Sequence, residues 1–361
     1  VSRPAKVTIN LAALKHNLDK VRQYAPQSQI LAVLKANAYG HGLTTVALAL
    51  SKADTFGVCC IEEALELRAV GIKKAILLME GFFTADELPV IVNNQFETVI
   101  HHWPQIVALE QATLSAPIKV WLKLDSGMHR LGFSPSEFLL AWERLNSCPN
   151  VQPLPILMTH FASSDDLKSS VTDEQLLCFN QTVNDLPGQR SLANSAAILA
   201  RQPTCADWVR AGIMLYGISP FSDLTGQDYG LQPAMTFSSE LIAIHSIQQG
   251  QCIGYGGTWR CPENMLVGVV AVGYGDGYPR HAENFTPVLV NGKKLPLVGR
   301  VSMDMVTVDL RTQPQAKVGD PVILWGEALP VEKVAACADT IAYELVCGIS
   351  KRVCVKAIGG C

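Results

Sequence analysis

Lys35 closes the apolar run Leu31–Leu34 in the segment LAVLKANAYGHG, residues 31–42. It is the first residue of that run that must leave an apolar interior, and it enters a polar, conformationally permissive turn of Tyr39, Gly40, His41 and Gly42. A lysine so placed either keeps its ammonium in water or meets a carbonyl and forms a Schiff base. Other chemistry-bearing residues also stand at the ends of apolar runs: Lys123 and Asp125 in IKVWLKLD, Thr159 and His160 in VQPLPILMTHF, Asn194 and Ser195 after QRSL, and Arg210 and Gly212 in WVRAGIMLYG. A single histidine in a strand is more often a satisfied core residue than a reactive one. The recurrence at five run ends is what singles these residues out.

The elements that would position them alternate. Eight short apolar runs, QILAVLKA, TFGVCC, AILLME, FETVIHH, IKVWLKLD, VQPLPILMTHF, QRSLAN and WVRAGIMLYG, are separated by helical patterns such as IEEALELRAV and SPSEFLLAWERLNS. In the last of these, Ser134 or Ser136 can cap the helix, Pro135 is tolerated in its first turn, and Phe138, Leu139, Trp142 and Leu145 follow at helical spacing. Such alternation implies a parallel sheet, either closed as a (β/α)8 barrel or open and doubly wound. A barrel gathers chemistry at the C-terminal ends of its strands, where these residues fall. The loops after its seventh and eighth strands commonly bind phosphate; here Ser195 offers a hydroxyl and Gly212 allows close backbone approach. A lysine across the mouth from a phosphate cradle suggests pyridoxal phosphate as cofactor.

The chain of 361 residues exceeds the size at which one core usually stops growing, so two domains, or one large barrel plus an appendage, are expected. After GLQPAMTF, near residue 230, the texture changes to short strands punctuated by glycine turns. Asn291-Gly292 marks a hairpin, and a helical piece lies around PVEKVAACA. The expected division is a barrel over 1–229, whose first residues can pack with the second domain, and a mainly β domain over 230–361. Tyr255, Tyr274, Tyr278 and Tyr343 read as half-buried strand tyrosines that together could wall a site. A net charge of −3 without a basic stretch excludes a nucleic-acid partner. No apolar run reaches the roughly 18 residues of a membrane span, and VSRPAKVTIN lacks the apolar segment of a signal peptide, so a cytoplasmic protein is expected. Eleven cysteines without CxxC or Cys/His spacing read as reduced thiols, with no metal site.

The ordered motifs KANAYGHG (35–42), LKLDSGMHRLG (122–132), WVRAGIMLYG (208–217), GYGGTW (254–259), GYGDGYPR (273–280), GRVSMDM (299–305) and AYELV (342–346) closely resemble the bacterial alanine racemases, a barrel-plus-β-domain class of pyridoxal phosphate enzymes, over nearly the whole chain. The resemblance implies that Lys35 is the cofactor lysine and the base acting on D-alanine, and that Tyr255 is the opposite base, acting on L-alanine. Racemisation needs two such groups because a proton leaves one face of the α carbon and returns to the other. A tyrosine, with a reference pKa of about 10, needs a supporting environment for this work, which His160 and Arg210 would supply through a hydrogen-bonded chain. Arg210 would also face the pyridine nitrogen, donating to it without protonating it. Arg130 would contact the cofactor's phenolic oxygen and the substrate carboxylate. Lys123 corresponds to a lysine that many members carry as a carbamate, which would turn repulsion of Arg130 into attraction. Tyr39, Asn194, Ser195, Gly212, Ile213 and Tyr343 would line the phosphate side, and Met303 would offer backbone to the substrate carboxylate. Tyr274 and Tyr343 would form a narrow gate, with Ser302 at a position that varies between members.

The family arranges two chains head to tail, so a homodimer is implied in which Tyr255, Tyr274, Met303 and Asp304 serve the partner's barrel. Interconversion of L- and D-alanine, for peptidoglycan or alanine catabolism, is the leading expectation. A broad-specificity racemase is the nearest rival. A decarboxylase of the same fold type fits poorly with the tight gate, and a single-barrel cofactor carrier would lack the β domain and Tyr255.

Overall fold

The computed structural model describes residues 3–360 and divides into two compact units. One comprises Asn17–Ala38 and Gly42–Leu215; the other comprises the described part of Val1–His16, Tyr39–His41 and Tyr216–Cys361.

Strand β1 is Lys6–Asn10. In the first unit, β2 (Gln29–Val33), β3 (Thr55–Val58), β4 (Ile76–Leu78), β5 (Phe96–Ile100), β6 (Val120–Lys123), β7 (Ile156–Met158), β8 (Arg190–Ser191) and β9 (Trp208–Ala211) form a closed barrel in chain order. Every neighbouring pair is parallel, and β2 closes on β9 with Gln29 opposite Trp208 and Leu31 opposite Arg210. Closure excludes the open doubly wound sheet. Strands β4 and β7 are buried along their whole length, which explains why they read as unbroken apolar runs rather than alternating ones, and β5 and β9 are equally buried although they carry Glu97 and Arg210.

Helices return the chain between strands. Pro135–Ser147 starts at Ser134, whose hydroxyl and the Glu137 carboxylate close a reciprocal capping box, with Pro135 in the first turn. Its buried face is Phe138, Ala141 and Leu145, whereas Leu139 is exposed, so the apolar stripe is narrower than the spacing predicts.

The second unit is built on an eight-stranded sheet. It contains β10 (Met235–Ile247), β13 (Met265–Val270), β14 (Pro287–Val290), β15 (Lys293–Pro296), β16 (Val306–Asp309), β17 (Pro321–Trp325), β18 (Cys354–Ile358) and also β1, which lies between β10 and β18. A separate two-stranded ribbon pairs β11 (Cys252–Ile253) with β12 (Trp259–Arg260). Asn291 and Gly292, at φ 49° and 76°, make the two-residue turn of the β14–β15 hairpin. The helix expected in PVEKVAACA spans Val331–Cys337. Every described cysteine is a free thiol. Among the described residues no helix is long and apolar enough to cross a membrane.

Candidate active site

The backbone turns sharply where β2 ends. Leu34 donates the last barrel bond, to the Gly57 carbonyl at 2.7 Å, and Lys35 follows. Ala36, Asn37, Ala38 and Tyr39 then all take left-handed φ values of 52–55°. Each such non-glycine residue costs roughly 1–2 kcal/mol, so the turn needs compensation. It is found in bonds from the Ala38 N–H to the Leu34 carbonyl (2.7 Å), the Gly42 N–H to the Asn37 carbonyl (3.0 Å) and the Leu43 N–H to Asn37 Oδ1 (2.8 Å). The Glu63 carboxylate adds a further anchor, accepting from the Ala36 N–H at 2.8 Å.

Arg210, inside β9 and 2 % exposed, is fixed by its terminal nitrogens. Nη1 donates to the Ser191 carbonyl (2.9 Å) and hydroxyl (2.8 Å); Nη2 donates to the carbonyls of Thr159 (2.7 Å) and Leu192 (3.0 Å) and reaches His160 Nδ1 at 3.3 Å. Its Nε is buried and has no partner among the described residues. Burial pulls the guanidinium down to about 10, which leaves it a cation at neutral pH.

Lys123, the last residue of β6, is 7 % exposed. Burial pulls its ammonium down to about 8, aided by the positive charges of Arg210, Arg130 and Lys35, against a small opposing pull from Asp125. His160 is held well below the usual imidazole range by burial and then by Arg210, Lys123, Arg130 and Lys35. The barrel mouth therefore concentrates positive charge, and an anion brought there would relieve it.

Arg130 is exposed on the loop after β6. That loop is shaped by Asp125, whose Oδ1 accepts the N–H groups of Gly127, Met128 and His129 at 3.0 Å each. After β8, Asn194 caps the helix Ser195–Ala200 through Oδ1, which accepts from Ala197 N–H (3.1 Å) and the Ser164 hydroxyl (2.8 Å). Ser195 Oγ accepts from Gly212 N–H at 2.9 Å and Met214 N–H at 3.4 Å, which orients its own proton toward another acceptor. Ile213, next to Gly212, is buried in the short helical turn Ile213–Tyr216.

In the second unit Tyr39 is buried, its ring 4.8 Å from Tyr216 and 6.0 Å from the half-buried Tyr343. Burial raises its hydroxyl above the usual tyrosine range. Tyr274 and Met303 are held together by backbone: Tyr274 N–H donates to the Ser302 carbonyl (3.1 Å) and Gly275 N–H to the Met303 carbonyl (2.9 Å). Gly273 permits this approach, since a Cβ there would lie 2.3 Å from the Ser302 oxygen. Asp276, fully buried, ties the same turn to Arg3 (2.8 Å) and Arg352 (2.8 Å). Arg352 in turn pairs with Asp304 at 2.8 Å. Tyr255 is 69 % exposed on the turn Tyr255–Gly257. The expectation of four strand tyrosines needs correction: Tyr255 and Tyr274 lie on short helical turns, Tyr343 on the helix Ala342–Cys347, and Tyr278 is buried, its hydroxyl without a hydrogen-bond partner among the described residues.

Family profiles match both parts of the chain, the alanine racemase N-terminal domain over residues 9–220 and the alanine racemase C-terminal domain over 234–357. The chain belongs to the alanine racemase family. It is accordingly a racemase, an enzyme of the isomerase class. It is 53 % identical to an alanine racemase of Vibrio parahaemolyticus over 97 % of this chain and 98 % of that one. It is 51 % identical to the biosynthetic alanine racemase of Escherichia coli over 98 % and 99 % of the two chains. The crystal structure of the biosynthetic alanine racemase from Pseudomonas aeruginosa superposes with a TM-score of 0.96 at 46 % identity, covering 99 % of each chain.

Within the racemase barrel, Lys35, Lys123, Arg130, His160 and Arg210 share one electrostatic field, and Ser195 and Gly212 are joined by a hydrogen bond. Asp125, singled out at its run end, acts through the turn signal of Asp before Ser-Gly rather than as a reacting group. Two further residues that shape these loops were given no role by the sequence: Asp276, an acid flanked by glycines within GYGDGYPR, and Glu63, which shows only as an acid in a helix's first turn.

Proposed function

We propose that the chain interconverts L- and D-alanine with pyridoxal phosphate, using Lys35 on the D-alanine face and Tyr255 of the partner subunit on the L-alanine face. Its alanine racemase relatives supply the substrate, and the geometry of Arg210 carries the cofactor reading. A buried donor without a partner is costly, and the Nε of Arg210 lies among the groups that shape the barrel mouth. A ring nitrogen that accepts without carrying a proton would satisfy it. The proton available on Ser195 Oγ and the cations around Lys123 suit a phosphate and a carboxylate. When bound, pyridoxal phosphate supplies an aldehyde to which an amino group attaches and a conjugated ring that draws electrons from the α carbon.

The protein's own groups then do the rest. Lys35 would hold the cofactor in the resting enzyme and would take or return the α proton through Nζ. Tyr255 of the partner subunit does the same through its hydroxyl oxygen on the opposite face. Arg210 would donate to the ring nitrogen while keeping its own charge, and a nitrogen held that way would supply only moderate electron withdrawal. Arg130 orients the substrate carboxylate, with the Met303 backbone of the partner subunit. A carbamate on Lys123 would give Arg130 an anionic neighbour, and the lowered amine basicity favours its formation. Tyr39, Asn194, Ser195, Gly212, Ile213 and Tyr343 hold the phosphate side, His160 supports the hydrogen-bonded chain through Arg210, and Tyr274 with Tyr343 narrows the entrance.

The exposure of Tyr255, Tyr274 and Met303 favours a homodimer with shared sites, each barrel being completed by the other chain. The division into a barrel over 1–229 and a second domain over 230–361 belongs to the same reading.

Solvent-deuterium exchange tests it. Lys35→Ala should lose activity together with the absorbance near ~420 nm expected of a lysine-bound cofactor. Tyr255→Phe should keep that band yet lose exchange, chiefly from L-alanine. Undiminished exchange from both enantiomers in Tyr255→Phe would overturn the two-base account.

A further inference from the structure

Glu63 directs its carboxylate at backbone. Oε1 accepts the Ala36 N–H at 2.8 Å and approaches the Asn37 N–H at 3.4 Å, while Oε2 accepts the Cys59 N–H at 2.8 Å. Cys59 directly follows β3, and Ala36 directly follows Lys35. One half-buried side chain therefore ties the ends of two adjacent barrel strands together at the point where the lysine emerges.

The need for such a tie comes from the backbone. The left-handed turn begins at Ala36, and its first N–H groups lack the partner within the turn that Ala38 finds in the Leu34 carbonyl. Residues of Ala-Asn-Ala-Tyr type do not hold this conformation unaided. Without an acceptor the chain after Lys35 is free to return to the right-handed or extended region, and the Cα–Cβ direction of Lys35 turns with it. Helix capping alone does not require this geometry: an acid in the first turn of Ile61–Ala69 satisfies that helix without reaching another strand.

We infer that Glu63 is a positioning residue for Lys35, holding the left-handed turn so that the ammonium stands in the orientation that captures the cofactor and later meets the substrate α carbon. The inference rests on the reading of Lys35 as the cofactor lysine. Glu63 accepts from three N–H groups, so an amide at this position, which carries only one acceptor oxygen, must release one strand end.

The test uses Glu63→Gln, with Glu63→Asp as a second, better-tolerated variant whose shorter arm reaches only one strand end. Pyridoxal phosphate binding to the apoprotein is followed by fluorescence, and the modified lysine is identified by borohydride reduction and peptide mass spectrometry. Melting temperature and the kcat and KM for alanine accompany these. Wild type should be labelled at Lys35. Glu63→Gln should bind the cofactor about tenfold or more weakly and label Lys35 more slowly, with kcat reduced, KM changed less and the melting temperature nearly kept; Glu63→Asp should fall between. Lys35 labelling, cofactor affinity and kcat all at wild-type levels in both variants would overturn the role of Glu63 alone. A wild-type label on another lysine would overturn the assignment of Lys35, and this inference with it.

Discussion

The Nη2 of Arg210 lies 3.3 Å from the Nδ1 of His160, and because a guanidinium only donates, that ring nitrogen is the acceptor. The proton of the neutral imidazole therefore sits on Nε2. One charged side chain thus sets the tautomer of a histidine, through a contact made beside the carbonyl of Thr159 that the same nitrogen bonds at 2.7 Å.

Arg210→Lys should be far from conservative. A single ammonium cannot span the carbonyls of Ser191, Thr159 and Leu192 and the ring of His160, so buried acceptors lose their donors at about 1–3 kcal/mol each. Calorimetry should show a melting temperature lower by several degrees, and turnover should fall by about two orders of magnitude. A variant with wild-type melting and turnover would remove Arg210 from its proposed place.

His160 should stay neutral through the working range. Its folded pKa is lowered, so the unfolded chain takes up the proton first as pH falls below the ordinary value of 6.5. Stability contributed by the neutral ring is then full above that value and is lost as pH falls from it toward the lower folded pKa. Nitrogen-15 spectra of labelled protein at pH 6 should show an Nε2-protonated neutral imidazole, and His160→Gln should flatten the acid limb of the stability curve. A charged ring at pH 6 would contradict the lowered value.

Lys123 should respond to carbon dioxide. With its ammonium pulled down to about 8 from 10.5, the neutral amine that attacks carbon dioxide is far more abundant near neutrality than for an exposed lysine. Carbon-13 bicarbonate should give a carbamate resonance in wild type that Lys123→Met lacks. In carbon-dioxide-free buffer the buried cation destabilises the fold at neutral pH, and the penalty lifts as pH rises between about 8 and 10.5, where only the unfolded chain keeps the proton. Lys123→Met should remove that slope. A wild-type spectrum without the resonance would leave Lys123 an unmodified amine.

Much of this was legible in the chain because parallel strands buried on both faces write themselves as unbroken apolar runs, and the first polar residue after each run marks the barrel mouth. Lys35, Lys123 and His160 were readable in that way, and Asn291-Gly292 announced its hairpin. The left-handed turn was not. Gly40 and Gly42 signal positive φ, but Ala36 to Tyr39 carry no such signal, and the acceptor that supports them is Glu63, on a different strand–helix connection. The burial of Tyr278 was equally hidden, since its glycine-rich surroundings are those of the exposed Tyr274.

Shared sites make a prediction that self-contained ones do not. Lys35→Ala and Tyr255→Phe should each be inactive as pure proteins if both bases are required. Dissociated and reassembled together, half of the dimers should be mixed. In a mixed dimer the barrel that keeps Lys35 meets the intact Tyr255 of the other chain, while the second barrel has lost both. The mixture should therefore recover about a quarter of wild-type activity, one working site in half of the dimers. The exposure of Tyr255 at 69 % in the single chain is what an element awaiting another barrel presents. If each chain supplied its own tyrosine, every barrel in the mixture would lack one base, and activity would not return however long the subunits exchanged.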